Sequence, residues 1–141
     1  MNISKMLKFS KNGNNEVSVC SFETPVGRII ADLFESEIKD YFAGNLHKFT
    51  IPIKTLGSEF QKDVWDKLLE IPYGSTQTYG ELAKDMGRLA SHSRAVGAAC
   101  GANAHLLVIP CHRLVASGSN GGFSSGLDRK EWLIKHEKKF A

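Results

Sequence analysis

Residues 78–102 read TYGELAKDMGRLASHSRAVGAACGA, and the fold turns on this stretch. Thr78 with Glu81 three positions on is a capping box. It opens a short helix that carries Leu82, Ala83 and Met86 and stops at Gly87. A second helix is expected from about His92 to Ala102. Two short helices joined by a brief turn with a glycine fit a helix-turn-helix pair. The second helix has an unusual surface. At roughly 100° per residue, Arg94, Gly97, Ala98 and Gly101 project together, with Val96, Cys100 and Asn103 opposite. Glycine inside a helix costs roughly 1 kcal/mol against alanine. Such a bare face lets the helix lie close against something, with Arg94 as the long side chain at its edge. Tight packing against a neighbouring helix would use glycine in the same way.

Upstream, Ser58-Glu-Phe-Gln61 is another capping box, and Phe60, Val64, Trp65, Leu68 and Leu69 form an amphipathic stripe ending before Pro72. HKFTIPIKTLG (47–57) reads as a linker, with Pro52 holding an extended path. Before it, VSVCSF (17–22) and RIIADLF (28–34) read as two strands around a turn at Thr24-Pro25-Val26-Gly27. A short helix from Glu35 to Phe42 follows, with Ile38, Tyr41 and Phe42 apolar and Gly44 as its stop. The chain thus divides into a small N-terminal unit, 1–55, and a larger domain, 56–141.

Downstream, LLVIP (106–110) reads as a strand halted by Pro110, and Cys111, His112 and Arg113 come directly after. The glycine-rich GSNGGFSSG (118–126) looks hairpin-like. A closing helix is expected from Leu127 to Lys139, opened by a capping box at Ser125-Gly-Leu-Asp128. Its inner side would carry Trp132, Leu133, His136 and Phe140.

Composition sets the broad class. With 42% apolar and 23% charged residues in 141, the chain reads as a soluble globular protein. No run approaches the roughly 18 apolar residues of a membrane helix, and MNISKMLKFSKNGNNEV lacks a signal-peptide core. Three cysteines without framework spacing favour a reduced, intracellular setting. The net charge of +3 is mild, but its distribution is uneven. From Met86 to Leu127 there is no Asp or Glu, while Arg88, Arg94 and Arg113 stand there with His92, His105 and His112. A surface built from that segment would suit nucleic acid.

A cysteine at the end of a buried strand, beside a histidine and an arginine, is a candidate nucleophile. The thiolate is the reactive form, and neighbouring basic groups raise its population. His112 can share a pocket with Cys111 only if the chain turns sharply after Pro110. A base needs an orienting partner, and Glu137 on the last helix is a candidate carboxylate. A buried structural cysteine beside a surface histidine would show the same dipeptide. Cys20 and Cys100 are read as structural.

Ile109-Pro-Cys-His-Arg-Leu-Val115 resembles the active-site signature of the O6-alkylguanine-DNA alkyltransferases, the methylated-DNA–protein-cysteine methyltransferases. The likeness extends upstream through Phe60-Gln-Lys-Asp-Val-Trp65, Ile71-Pro-Tyr-Gly74, Thr78-Tyr-Gly-Glu-Leu-Ala83, Ser93-Arg-Ala-Val-Gly97 and Asn103. Downstream it takes in Phe123-Ser-Ser-Gly-Leu127, Lys130-Glu-Trp-Leu133 and His136-Glu137. It therefore spans nearly all of 58–137.

The resemblance implies an α/β (α+β) fold, with an abbreviated N-terminal β-hairpin and helix before a mainly helical, winged helix-turn-helix-like alkyltransferase domain. It implies direct reversal of DNA damage, in which the alkyl group of O6-alkylguanine moves irreversibly to Cys111, once per molecule. His112, through a water, would take the thiol proton, with Glu137 completing the relay. Tyr79 would hydrogen-bond the departing guanine and crowd the phosphate to favour base extrusion. Arg94 would fill the gap left by the flipped base. Asn103 would tie the second helix to the active-site strand. Ser93, Gly97, Ala98 and Gly101 would face the minor groove, and Leu114, Phe123 and Ser124 would line the guanine pocket. The implied partner is double-stranded DNA carrying the lesion, bound by a monomer. No cofactor, metal or membrane is implied, and the location is cytoplasmic, or nuclear in a eukaryote.

The chain departs from the family in four places. The N-terminal unit is short, lacking strands between Asp32 and Glu37. Ala104 and Leu106 stand where prolines are common, and Phe123 where a tyrosine is frequent. Cys20 and His47 are too few for the structural zinc that some members hold. Three other readings stay open. A lesion-binding relative without catalysis would lack the acceptor cysteine, which is present. A helix-turn-helix regulator would bind undamaged sequence, against which the small glycine-lined helix argues. A cysteine hydrolase would turn over repeatedly and leave the helix pair without a role.

Overall fold

The structure, a computed structural model, describes residues 25–123 and 126–141. The chain falls into two compact units, Met1–Leu56 and Gly57–Ala141.

In the first unit, helix α1 runs Pro25–Phe42. This corrects the expected strand over 28–34 and the turn at 24–27, whose last three residues lie in the helix. Pro25 is the first helical residue, where its fixed φ and missing N–H cost nothing. A strand needs a neighbour for its ladder, whereas a helix satisfies its own backbone. The other expected strand, 17–22, lies outside the described residues. Two residues past the end of the helix, Gly44 takes a left-handed φ of 83°. Ile38 and Tyr41 are buried on its inner face, and Tyr41 stacks obliquely on Phe49 at 5.5 Å. The buried Glu37 carboxylate accepts from the backbone N–H groups of Thr50 and Ile51 and from the Thr50 hydroxyl, fixing the segment after the helix.

The second unit is helix-rich with one small sheet. Helix α2, Glu59–Leu69, is opened by the Ser58–Gln61 capping box and buries Val64, Trp65 and Leu68. Strand β1, Gln77–Thr78, leads into helix α3, Tyr79–Asp85, capped by the Thr78–Glu81 box. Gly87, at φ 72°, closes α3. Its N–H bonds Lys84 O and that of Arg88 bonds Ala83 O, the paired bonds of a Schellman stop. A 3-10 turn, Ala90–His92, precedes helix α4, Ser93–Gly101. A further 3-10 turn, Cys111–Arg113, runs into strand β2, Leu114–Val115. Helix α5, Leu127–Phe140, follows.

Strands β1 and β2 are parallel, pairing Gln77 with Leu114 and Thr78 with Val115. This short ladder joins the start of α3 to the residues just after Cys111. Helix α2 is fastened to α4 by the buried Trp65 indole, whose Nε1 donates to Ala99 O at 2.9 Å.

Two further expectations need correction. LLVIP is a series of turns and not a strand, because its backbone finds partners locally: Ile109 N–H bonds His105 O at 2.9 Å. Leu107 sits there at φ 72°, an uncommon conformation for a branched residue. Helix α5 starts from Gly126 with no side-chain cap, so Asp128 closes no capping box there. Its buried face holds Lys130, Leu133, Ile134, His136 and Glu137, while Trp132 is half exposed. The face is turned because two charged residues are taken inside.

Among the described residues no helix is long and apolar enough to cross a membrane. Nor do they hold a cluster of three or more metal-ligating side chains.

Candidate active site

The acceptor candidate is held by a backbone that doubles back. Asn103, just past α4, donates from Nδ2 to Ile109 O at 3.0 Å and accepts from His105 N–H at 2.9 Å. It therefore pins both ends of the loop that delivers Cys111. The thiol emerges in the 3-10 turn after Pro110, 6% exposed.

Behind it lies a buried polar chain. Glu137, ionised far into acid with its pKa held down to about 2, can only accept hydrogen bonds. The His112 and Arg113 donors beside it overcome the penalty of its burial. His112 Nε2 therefore carries the proton and donates to Glu137 Oε1 at 2.6 Å. Nδ1 is left with its lone pair, buried, and no described residue bonds it. Burial holds the His112 pKa below its ordinary value, against the pull of Glu137, so the ring is neutral at neutral pH. Arg113 grips the same carboxylate with Nε at 2.8 Å and Nη2 at 3.1 Å, and spends Nη1 on Ile71 O at 2.7 Å.

In front of the thiol is a cleft of about 510 Å³. Tyr79, Ser93, Arg94 and Gly97 line one part of it, with Cys100, Gly101 and Cys111. Ala116, Gly121, Gly122 and Phe123 line the rest. The Tyr79 ring lies between two glycines. A Cβ at Gly121 would stand 3.0 Å from the Tyr79 hydroxyl, and one at Gly97 would stand 3.7 Å from its ring. Gly121 also takes a φ of 71°, so a side chain there would be both strained and crowded. Burial raises the Tyr79 pKa, so the phenol keeps its proton at neutral pH.

Sequence reasoning gave no role to Lys130, which is fully buried. Its ammonium donates to Leu114 O and, at 3.1 Å, to Gly122 O, and lies 5.8 Å from the centre of the Tyr79 ring. Burial pushes the Cys111 thiol up, while the Asn103 amide and the Lys130 charge pull it partly back. Lys130, Ile134 and Glu137 recur at helical spacing, but a lysine on an inner face carries no signal in sequence that it is buried.

The cleft thus gathers Cys111, Tyr79, Arg94, Ser93, Gly97, Gly101 and Phe123, with His112, Glu137 and Asn103 behind the thiol. Leu114 does not line it. That side chain is wholly buried, and its carbonyl serves Lys130. Ala98 is exposed on α4 away from the cleft, and Ser124 lies outside the described residues. Cys100 is not on the opposite face of the helix but half-buried in the cleft wall.

Residues 59–139 match the family described as 6-O-methylguanine DNA methyltransferase, DNA binding domain. A methylated-DNA–protein-cysteine methyltransferase of Methanosarcina acetivorans is 49% identical over 102 residues, 72% of this chain and 65% of the relative. Its namesake in Shigella flexneri is 46% identical, over 72% of this chain and 60% of that protein. The chain thus spans somewhat under two thirds of the length of these relatives. A crystal structure of Mycobacterium tuberculosis OGT in complex with DNA superposes with a TM-score of 0.72 at 41% identity, covering 75% of this chain and 65% of that one. With more than half its length matched and its site residues gathered on one cleft, the chain belongs to the family of the 6-O-methylguanine DNA methyltransferase DNA-binding domain.

Proposed function

We propose that this protein repairs DNA by moving the alkyl group of O6-alkylguanine onto Cys111. The observation that carries the reading is the line Cys111, His112, Glu137, with a protonated phenol across the same cleft. His112 Nδ1 receives the thiol proton through a water, and Glu137 stabilises the imidazolium that results. The thiolate attacks the O-alkyl carbon. One C–S bond forms, the C–O6 bond breaks, and the guanine leaves as an anion that Tyr79 meets with a hydrogen bond. Nothing among the described groups offers a route back from the thioether, so each molecule acts once.

A base inside a duplex is out of reach of a buried thiol, so the nucleotide is turned out into the cleft. The α3–α4 pair acts as a helix-turn-helix whose glycine-bearing face approaches the minor groove, and Arg94 occupies the vacated stack. The lowered His112 pKa keeps the base neutral at neutral pH, so any loss of transfer rate from its protonation should set in below the ordinary histidine range.

Mass spectrometry of the protein mixed with excess duplex carrying one O6-methylguanine tests this. The expected result is one methyl group per chain, on the peptide containing Cys111, with Cys111→Ser binding the duplex but gaining nothing. Tight binding without any gain in mass would make the protein a lesion binder and not a repair protein.

A further inference from the structure

Alkyl transfer uses one sulfur, yet the cleft holds two. Cys100, on α4, lines the same cleft as Cys111, and both are free thiols. Eleven positions separate them in sequence. The loop pinned by Asn103 returns the chain so that the second lines the same cleft as the first. Each sulfur, once ionised, would repel charge on the other, and the Tyr79 oxygen feels both. Cys100 is pushed up to about 12, chiefly by burial, so it is a neutral thiol at any physiological pH.

We infer that Cys100 and Cys111 form a dithiol site for trivalent arsenicals, one arsenic bridging both sulfurs across the cleft. Soft, polarisable centres prefer sulfur ligands. Arsenous acid is uncharged, so it enters a cleft lined by Arg94, near the buried Lys130 ammonium, without electrostatic penalty. Its reaction suits protonated thiols. Two As–S bonds form, two As–O bonds break, and each thiol proton leaves with a hydroxyl as water. Nothing is oxidised or reduced. The site needs only the two sulfurs and stands apart from the alkyl-transfer reading. Where that reading holds, a bridged Cys111 can no longer accept an alkyl group.

The test uses the full chain carrying Cys20→Ser, leaving two thiols, treated with phenylarsine oxide and followed by intact and peptide mass. The expected product is a single adduct formed with loss of one water, linking the Cys100 and Cys111 peptides. It should withstand excess 2-mercaptoethanol and be released by 2,3-dimercaptopropanol, because only a dithiol competes with a chelate. Adding Cys100→Ser or Cys100→Ala should give an adduct that the monothiol strips, in proteins whose melting by circular dichroism shows them folded. An adduct on the two-thiol protein that the monothiol removes would overturn the inference without recourse to any variant. So would a resistant adduct on folded Cys100→Ser.

Discussion

Helices α4 and α5 flank the same thiol and are built on opposite terms. Helix α5 turns Lys130 and Glu137 inward, both essentially buried and each with named partners. Helix α4 presents the cleft with Gly97, Cys100 and Gly101, and Arg94 is its one long side chain there. One helix contributes charge and the other contributes room. The difference teaches where each kind of substitution will register: in α5 as stability and thiol chemistry, in α4 as access for the duplex.

Removing the charge from α5 should have the largest effect. Glu137→Gln leaves the Arg113 guanidinium buried against a neutral amide, and breaking one side of a buried pair costs about 3 kcal/mol or more. Urea unfolding should show a loss of that size. The transfer rate should drop by roughly a hundredfold, the low end for a lost acid–base function. A variant with native stability and rate would make Glu137 a bystander.

Acid should produce the same weakness without mutation. The Glu137 carboxyl is held at about 2 in the folded protein against 4.5 ordinarily. A depressed pKa of this kind adds stability above the ordinary value and loses it as pH falls towards the folded one. Between about pH 4.5 and 2 the protein should lose roughly 3 kcal/mol. In Glu137→Gln that part of the acid transition should be missing, as chemical denaturation at stepped pH would reveal.

On α4 the effects should be smaller and specific to duplex DNA. Arg94→Ala should slow repair in a duplex by about tenfold, or about 1.4 kcal/mol. Single-turnover transfer from a substrate whose modified base is already unstacked should hardly change. Equal slowing on both substrates would remove the role of filling the stack.

The smallest expected effect is also the most contrary. Gly97→Ala places a methyl at ordinary contact from the Tyr79 ring and exchanges glycine for the best helix former. The protein should become more stable by up to about 1 kcal/mol, while its affinity for lesion-bearing duplex falls. A gain in both, measured by thermal melting and a DNA titration, would mean that the bare face does not meet DNA.

Much of this architecture was legible in the residues. The Ser58 and Thr78 boxes and the Gly87 stop are local hydrogen-bond patterns, and they formed where the spacing put them. Cys111, His112 and Glu137 were candidates on residue chemistry alone, and only the resemblance of 109–115 and 136–137 to a family signature joined them into one unit. The misreadings share a cause. RIIADLF and LLVIP are apolar runs whose state depends on whether a neighbouring strand exists, and that is not written locally. Cys100 and Lys130 were missed because their surroundings come from the 102–110 loop and from β2. Lys130 looks like any surface lysine until the carbonyls of Leu114 and Gly122 converge on it.

Lys130 and Glu137 both lie downstream of Cys111 in the chain. During synthesis the cysteine therefore leaves the ribosome before the residues that give it its surroundings. Until α5 has been made and has docked, Cys111 is a common peptide thiol, with no paired histidine, no nearby ammonium and no walls. Its special surroundings arrive only when α5 docks, and until then a nascent chain offers small electrophiles an ordinary thiol.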